Sequence, residues 1–385
     1  MKKIILVLYL QLLSLVFASP TLAVENPLNV ANNKVGIHIL FDNELKDAST
    51  LVNSSHGDWG YVTIVIQAGD KDLTKWQAFM DNAKRNHVIP IVRLATEGDF
   101  FNTEVWRKPT ETDIIDFANF LDSLDWPIKN RYIVIFNEVN RGNEWGGKAN
   151  PGEYADLLNF AVTVFKSKSN DFFVIPAGLD NAAPNEGDKY INEYNFLRQM
   201  NTGVPGIFNQ IDGFSSHSYP NPGFSMPPTF DSPSGINSFK YEKALVQTMT
   251  QKDLPIFINE TGWSTDTISD SIAANYYKTA LSTVWNDPSI VAITPFLLQG
   301  RGGAFQKFSF MGINGTFTNQ YTTLKNFPKI KGNPKSQTKV LAAETNTFHS
   351  EKESIKDFSK SDIKTIQIAP SKQLKTMFKW LLKLD

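Results

Sequence analysis

Two glutamates in this sequence each follow an asparagine at the end of a short apolar run. Glu138 ends such a run in RYIVIFNEVN, and Glu260 ends another in IFINE. An acid placed where a buried strand meets its loop costs free energy unless it is paired, solvated in a cleft or used in a reaction. Two such carboxyl groups can act together, one donating a proton and the other attacking as a nucleophile, which is the pairing that glycosidic bond cleavage requires.

The residues near the two glutamates predict different protonation states for them, as acid and nucleophile need. Arg93 can lower the pKa of Glu260 by its charge, and Tyr219 can donate a hydrogen bond to the same carboxylate. Glu138 follows uncharged Asn137 and an aromatic residue, so we expect it to keep its proton. The prediction is Glu260 as nucleophile and Glu138 as acid/base, with Asn137 binding the sugar hydroxyl next to the reacting carbon.

Strand-like apolar runs alternate with helix-like amphipathic segments along the chain and must position these residues. We predict strands over Val35–Leu40, Tyr61–Gln67, Val88–Ala95, Tyr132–Glu138, Phe172–Leu179, Ile211–Tyr219, Ile256–Glu260 and Ile290–Leu298. Predicted helices between them include Leu73–Asn86, Thr110–Leu124, Tyr154–Ser167, Phe239–Gln251 and Ser271–Trp285. Such alternation indicates parallel strands joined by crossovers. About eight units in roughly 300 residues favour a closed α/β TIM barrel, (β/α)8, over an open doubly wound sheet, whose glycine-rich phosphate turn is missing from the early turns.

A barrel of this kind places its chemistry at the carboxyl ends of the strands. Polar and aromatic residues stand at the predicted ends: His38, Arg93, Asn137, Glu138, His217, Tyr219, Glu260 and Phe296. For His38 and His217, a structural hydrogen bond and a sugar contact both remain open. Trp145 and Trp263 are candidates either for stacking on a sugar or for packing in the core. The five histidines are dispersed, so we predict no metal site and no cofactor.

The motifs at strands four, six and seven resemble those of the retaining clan A glycoside hydrolases. They read FNEVN around Glu138, HSY from His217 to Tyr219, and INETGWS from Glu260 onward, and the fit covers residues 35 to about 329. The sequence VGIHILFD is similar to the first strand of family-39-like members. The resemblance implies a (β/α)8 barrel, and it implies roles for individual residues: Glu138 as acid/base, Glu260 as nucleophile, Asn137 as 2-hydroxyl ligand, Tyr219 and Arg93 as partners of the nucleophile, and His217 as a sugar-binding group.

The chain departs from the clan at strand eight, where many members close the sugar subsite with a tryptophan. Here the segment reads TPFLLQG, so the sugar ring would rest on Phe296, Trp263 or Trp145. The long Pro-, Gly- and Ser-rich segment from Pro220 to Ser238 is expected to form a wall or a lid of the site. The alternative function, from another class, is a barrel that binds carbohydrate without turnover.

Composition and the chain ends predict partners and location. A net charge of -1 over 385 residues argues against nucleic acid as a partner, and the predicted partner is a poly- or oligosaccharide, bound by a monomer.

Residues 1–23 predict a secretory signal peptide, or alternatively an uncleaved anchor, and hence a secreted or cell-surface protein. Residues 24–330 would form the single catalytic domain, whose core must supply the stability because the chain has no Cys. Residues 331–385 predict a low-complexity Lys/Ser-rich tail. Its last segment, Leu374 to Leu384, predicts a short amphipathic helix that either makes a weak membrane or cell-surface contact or folds back on the barrel.

Overall fold

The computed structural model describes residues 24 to 337, in which strands and helices alternate along the chain. The strands are β1 (Gly36–Ile39), β2 (Gly60–Gln67), β3 (Val88–Ala95), β4 (Arg131–Ile135), β5 (Phe172–Pro176), β6 (Phe214–His217), β7 (Ile256–Glu260) and β8 (Ile290–Ile293). The helices are α1 (Leu45–Val52), α2 (Leu73–Arg85), α3 (Glu111–Asp122), α4 (Pro151–Lys168), α5 (Glu193–Gly203), α6 (Ser238–Gln247), α7 (Asp270–Ser282) and α8 (Asn319–Asn326). Each strand therefore precedes the helix of the same number.

The strands close into a barrel. β1 to β5 pair in parallel in chain order, and β6 to β8 do the same. At the β8–β1 junction the Ile293 N–H donates to the Lys34 carbonyl at 2.8 Å, and between β5 and β6 the Asp212 N–H donates to the Val174 carbonyl at 3.0 Å. The predicted (β/α)8 barrel is confirmed, and its strand ends form one face.

Aromatic side chains fill the interior of the barrel. Tyr132 of β4, Phe173 of β5 and Phe257 of β7 contact one another with ring centroids 5.0 to 5.6 Å apart. Contacts between strands on different sides of the ring are possible only across its interior, and all three side chains are buried. The interior is thus a packed core, which confines any ligand pocket to the ends of the strands.

Several predicted strands are longer than the observed ones, because apolar residues continue into buried loops. β4 ends at Ile135, and the next residue, Phe136, has φ of 68°, which turns the chain out of the sheet. β6 and β8 likewise end at His217 and Ile293, before their predicted ends. Residues that follow these strands are apolar because they are also buried, although they no longer pair in the sheet. The apolar pattern alone therefore overestimates strand length.

The chain beyond α8 runs along the amino-terminal end of the barrel. The backbone of Lys331 forms a parallel β-bridge with that of Asp58, and the Lys129 N–H donates to the Lys335 carbonyl at 2.8 Å. The predicted signal peptide and the predicted tail helix lie outside the described residues and stay predictions. Among residues 24–337, none of the helices has both the length and the apolar character needed to cross a membrane.

Candidate active site

A pocket of about 330 Å³ opens at the carboxyl ends of the strands. Its polar lining includes Arg93, Asn137, Glu138, Arg141, Glu144, Asp180 and Glu260. Its aromatic lining includes Phe100, Trp106, Phe136, Tyr219, Phe224, Phe296, Phe305 and Phe308. Carboxyl groups together with many aromatic rings give the pocket the composition of a site for a polar molecule with flat apolar faces.

The two predicted glutamates meet in this pocket from separate strands. Glu260 is the last residue of β7, and Glu138 follows the turn after β4, where its N–H donates to the Gly178 carbonyl at 2.9 Å. One carboxylate oxygen of Glu138 lies within 4.8 Å of one of Glu260, and Nδ1 of His217 lies within the same distance of both. Two carboxyl groups at this separation can act on one small reacting centre.

Glu260 is surrounded by the partners that the sequence predicted for it. The Tyr219 hydroxyl donates to Glu260 Oε2 at 3.0 Å, and Arg93 Nη1 lies 3.6 Å from Oε1. Both partners are buried, and Glu260 itself is only 7% exposed. A buried hydroxyl donor and a guanidinium hold the carboxylate in a fixed orientation toward the pocket.

Glu138 has different neighbours from those expected, and the prediction that it keeps its proton is wrong for this structure. His217 Nδ1 contacts Oε1 at 3.0 Å, and Arg141 Nη1 donates to Oε2 at 3.2 Å. Burial raises the pKa of Glu138, but the hydrogen bond from His217 and the charges of His217, Arg141 and Arg93 outweigh it and lower the pKa to about 2. Glu138 is therefore ionised at neutral pH when His217 carries the proton.

His217 lies beneath the two carboxylates and has no exposed surface. Its burial lowers its pKa, but the charges of Glu260 and Glu138 and the hydrogen bond to Glu138 raise it overall. Gly178 makes room for the ring, because a Cβ there would lie 2.1 Å from His217 Cδ2. The predicted sugar-binding role of His217 is corrected to that of a carboxylate partner, since the ring has no exposed surface and does not line the pocket.

His38 also lies behind the site. Its ring is completely buried, with Nε2 3.7 Å from Glu260 Oε1, and it contacts Phe296 edge to face at 5.1 Å. Burial, together with the charges of Arg93 and His217, holds the pKa of His38 well below its ordinary value. A neutral imidazole packed against Glu260 and the pocket aromatic Phe296 is a structural element of the site. The ring has no exposed surface and does not line the pocket, which argues against the predicted sugar contact by His38.

The two predicted tryptophan platforms lie in the core. Trp263 has no exposed surface, packs edge to face on Tyr277 at 4.8 Å, and donates from Nε1 to the Met226 carbonyl at 2.8 Å. Trp145 is 2% exposed and packs on Tyr154 at 5.5 Å. The prediction that a sugar stacks on Trp145 or Trp263 is therefore wrong. A position near a strand end does not reveal which way a side chain points. Of the three candidates only Phe296 lines the pocket.

Loop residues that no sequence pattern indicated complete the pocket. Arg141 and Glu144 follow the FNEV motif within a few residues, and this spacing is the one signal that could have indicated them. Glu144 is half-buried in the pocket lining, and its pKa is raised to about 7 by burial and by the charge of Glu138, against the charges of Arg93 and Arg141. The aromatic loop residues carried no motif at all.

Glu138, His217 and Glu260 are spaced closely enough to be considered as metal ligands. No sequence motif predicted this cluster, because its members come from three different strand ends. Two guanidinium groups, of Arg93 and Arg141, already lie beside the carboxylates at 3.6 and 3.2 Å. Their charges oppose binding of a further cation, and the cluster is better described as a hydrogen-bonded set of acids and bases.

The fold belongs to the (β/α)8 class found among clan A glycoside hydrolases, which confirms the resemblance at the level of the fold. No protein-family model and no curated protein matches the chain. The structure is similar to that of a family 39 glycoside hydrolase from Bacteroides cellulosilyticus WH2, with a TM-score of 0.55 and 14% sequence identity. The similarity covers 80% of this chain and 66% of that protein, just under two thirds of that protein's length.

Two further solved structures are similar to a comparable extent. A family 39 β-xylosidase from Caulobacter crescentus is 15% identical, with a TM-score of 0.55 over 79% of this chain and 72% of that one. A glucosidase from Croceicoccus marinus is 10% identical, with a TM-score of 0.57 over 80% of this chain and 69% of that one. At these identities the similarity establishes the barrel, and the chemistry must be argued from the site.

Proposed function

We propose that this protein is a glycoside hydrolase that cleaves β-linked O-glycosidic bonds in a poly- or oligosaccharide with retention of anomeric configuration. The observation that carries the proposal is the approach of Glu138 and Glu260 to within 4.8 Å, oxygen to oxygen, in the pocket. Retaining enzymes hold their two carboxyl groups about 5 to 5.5 Å apart, whereas inverting enzymes leave about 6.5 to 9.5 Å for a water molecule. The spacing supports retention.

In the first step, the Glu260 carboxylate attacks the anomeric carbon while the bond to the leaving oxygen breaks. Glu138 passes a proton to that oxygen, so a glycosyl ester of Glu260 and a neutral alcohol result. Tyr219 and Arg93 hold Glu260 in place for the attack. Because both partners contact the carboxylate in the free protein, little reorganisation accompanies ester formation.

The proton for the first step is held by the pair of His217 and Glu138. His217 Nδ1 lies 3.0 Å from Glu138 Oε1, so a proton on the imidazole can move to the carboxylate as the leaving oxygen takes one from Glu138. In the second step, Glu138 accepts a proton from water, whose oxygen attacks the anomeric carbon and releases Glu260 as a carboxylate. The second inversion restores the original anomeric configuration.

The aromatic lining supplies the surface on which a sugar ring can pack. Phe296 lines the pocket and contacts Phe305 at 5.1 Å, and Phe224 contacts Phe308 at 5.2 Å. The axial C–H groups of sugars pack on such faces, while Asn137 is placed next to Glu138 to bind the hydroxyl beside the reacting carbon. This combination favours a carbohydrate over a purely apolar ligand.

The activity can be tested with aryl glycosides and with β-glucan, mannan, xylan and bacterial exopolysaccharides. With a substrate in hand, Glu260→Ala should lose at least about a thousand-fold in turnover. Added azide should restore cleavage of the aryl glycoside and give a glycosyl azide of inverted configuration, because azide occupies the space of the missing carboxylate.

A matched control is Glu153→Ala, which removes an exposed carboxylate that pairs with Lys108 at 2.9 Å and does not line the pocket. It should retain full activity and show no response to azide. Failure of azide to rescue a folded Glu260→Ala protein would contradict the nucleophile assignment. Tight binding of oligosaccharides with no turnover by the wild type would support the carbohydrate-binding alternative.

A further inference from the structure

A buried asparagine, Asn140, lies two residues after Glu138 and takes no part in the proposed reaction. Its side chain has no exposed surface and does not line the pocket. The amide nitrogen donates to the Asp180 carbonyl at 3.0 Å and to the Ile191 carbonyl at 3.1 Å, and the amide oxygen accepts from the Asp180 N–H at 3.0 Å. Both amide hydrogens and the amide oxygen are therefore used to bind backbone groups.

These hydrogen bonds join the loop after β4 to the chain between β5 and α5. The Ile191 N–H strengthens the junction by donating to the Asn140 carbonyl at 2.9 Å. Asp180 in turn forms a parallel backbone bridge with His217, the last residue of β6. A single side chain thus ties the loop that carries Glu138 to the segment that pairs with His217.

The loop that carries Glu138 needs such support because its backbone is strained. Phe136 has φ of 68° and Glu138 has φ of 37°, so both are non-glycine residues in the left-handed region. Conformations of this kind cost free energy and persist only where the surrounding structure fixes them. The Glu138 N–H supplies one fixed point by donating to the Gly178 carbonyl at 2.9 Å. The side chain of Asn140 supplies the next.

We infer that Asn140 is a positioning residue for the proposed acid: it holds the loop after β4 so that the Glu138 carboxylate stays in contact with His217 and within reach of the leaving oxygen. The inference rests on the proposed function. His217 Nδ1 and Glu138 Oε1 are 3.0 Å apart, and they come from β6 and from the loop after β4, strands that are not neighbours in the barrel. A small movement of the loop would therefore break the contact through which the proton passes.

Loss of the Asn140 side chain should impair protonation of the leaving group and spare the nucleophile, since Glu260 is held separately by Tyr219 and Arg93. In Asn140→Ala, kcat/KM for a phenyl glycoside, whose leaving group needs a proton, should fall about a hundred-fold. For the 2,4-dinitrophenyl glycoside of the same sugar, whose leaving group departs as a stable anion, kcat/KM should fall less than about three-fold. Equal losses on the two substrates would overturn the inference.

The matched control is Asn130→Ala, at a buried asparagine that precedes β4 at the amino-terminal end of the barrel. The Asn130 side chain is 5% exposed, donates to the Glu25 carbonyl at 2.8 Å and accepts from the Glu25 N–H at 3.1 Å. This variant should lose stability, while the ratio of its two kcat/KM values should stay that of the wild type.

If Asn140→Ala does not fold, Asn140→Asp replaces it in the kinetic test. The aspartate keeps the size of the side chain and an acceptor for the Asp180 N–H, but when ionised it offers no donor to the carbonyls of Asp180 and Ile191. We expect the same selective loss on the phenyl glycoside, and equal losses on the two substrates would again overturn the inference.

A second readout does not depend on turnover. Hydrogen exchange followed by mass spectrometry should show faster exchange in the peptide covering residues 136–141 in Asn140→Ala than in the wild type, and no such change in Asn130→Ala. Unchanged exchange in Asn140→Ala would overturn the inference. Faster exchange there, in a protein that cleaves neither glycoside, would support the fixing of the loop by Asn140 and contradict only the proposed function.

Discussion

At the scale of residues, the site is governed by the two cations that contact Glu138. Arg141 lies three residues further along the chain, and His217 lies 79 residues away on β6. Together they turn the expected acid into a carboxylate that shares a proton with His217. The proton that the proposed glycoside cleavage needs is thus stored in a pair, and its position depends on how strongly Arg141 stabilises the negative charge of Glu138.

Replacing Arg141 with glutamine should raise the pKa of Glu138, because the variant lacks a positive charge 3.2 Å from its carboxylate. The protonated acid then persists to higher pH, so the alkaline limb of the kcat/KM profile should move upward by about one pH unit or more. The pH dependence of aryl glycoside cleavage measures this shift. Arg198→Gln, at an exposed position, is the control, and a limb that stays in place or moves to lower pH would contradict this account of Glu138.

The sequence was informative about residues at strand ends and uninformative about the rim. Arg93, Asn137, Glu138, Tyr219 and Glu260 converge as predicted, because a parallel barrel brings all its strand ends to one face. Orientation was the missing information: Trp145 and Trp263 stand beside catalytic motifs but point into the core, and His217 points at the carboxylates. The protonation state of Glu138 depends on a loop that folds back, which no spacing rule reveals.

At the scale of elements, the pocket walls are loops supported by the barrel. The loop after β3 carries Phe100 and Trp106, and Arg107 holds it by contacts to Glu97 at 2.7 Å and Asp113 at 2.8 Å. The segment after β6, predicted to be a wall or a lid, contributes Phe224, whose carbonyl accepts from the Ser264 N–H at 3.0 Å. Its attachment to the β7 loop favours a wall.

Removing the Trp106 side chain should weaken substrate binding without altering the carboxylates. Trp106 is half-buried at the pocket rim, and loss of a packed aromatic face corresponds to about ten-fold in KM, or ~1.4 kcal/mol. Trp106→Ala should therefore raise KM with a smaller change in kcat. Trp59→Ala removes a half-buried tryptophan at the opposite end of the barrel, and an equal rise in KM there would contradict the wall assignment.

At the scale of the whole molecule, a buried acid pair links β6 to its helices. Glu193 of α5 and Glu242 of α6 are 1% and 0% exposed, and Ser216 of β6 donates to Glu242 at 2.8 Å. Burial is the main cause that raises the pKa of both acids, and the charge of Glu242 adds to the rise at Glu193. The folded barrel therefore keeps protons on this pair that the unfolded chain releases near the ordinary value of 4.5.

The pKa values of Glu193 and Glu242 are raised in the folded protein. The stability that this pair contributes is therefore present below about pH 4.5 and is lost as the pH rises through the pKa values of the folded protein. The thermal unfolding midpoint of the wild type should fall toward alkaline pH. Glu242→Gln removes one titrating group and keeps hydrogen-bonding atoms for Ser216. Between about pH 5 and about pH 9, the unfolding midpoint of this variant should fall by a few degrees less than that of the wild type. Scanning calorimetry of both proteins measures how the unfolding midpoint changes with pH. Equal falls in the two proteins would contradict this role of the acid pair. Glu104→Gln, at an exposed acid, is the control and should match the wild type.

The architecture was the most predictable feature of the molecule. Alternation of strand-like and helix-like segments repeats over the whole barrel, so errors at single positions do not alter the count of units. The starts of α2, α3, α6 and α7 lie within one residue of prediction, and α3 is capped by Thr110 with Asp113. Helix α4 begins at Pro151, three residues before the predicted Tyr154. Strand ends were less predictable, because burial in loops after Ile135 and His217 imitates burial in the sheet.

The central claim is that Glu260 forms a covalent bond to the sugar while Glu138 protonates the leaving group. It is tested most directly by incubating the protein with a 2-deoxy-2-fluoro glycoside of the sugar it cleaves and mapping the labelled peptide by mass spectrometry. We predict one sugar per chain, attached to Glu260, and a product of natural cleavage whose first-formed anomer has the substrate's configuration. A label on another residue, or an inverted product from an active enzyme, would contradict the account.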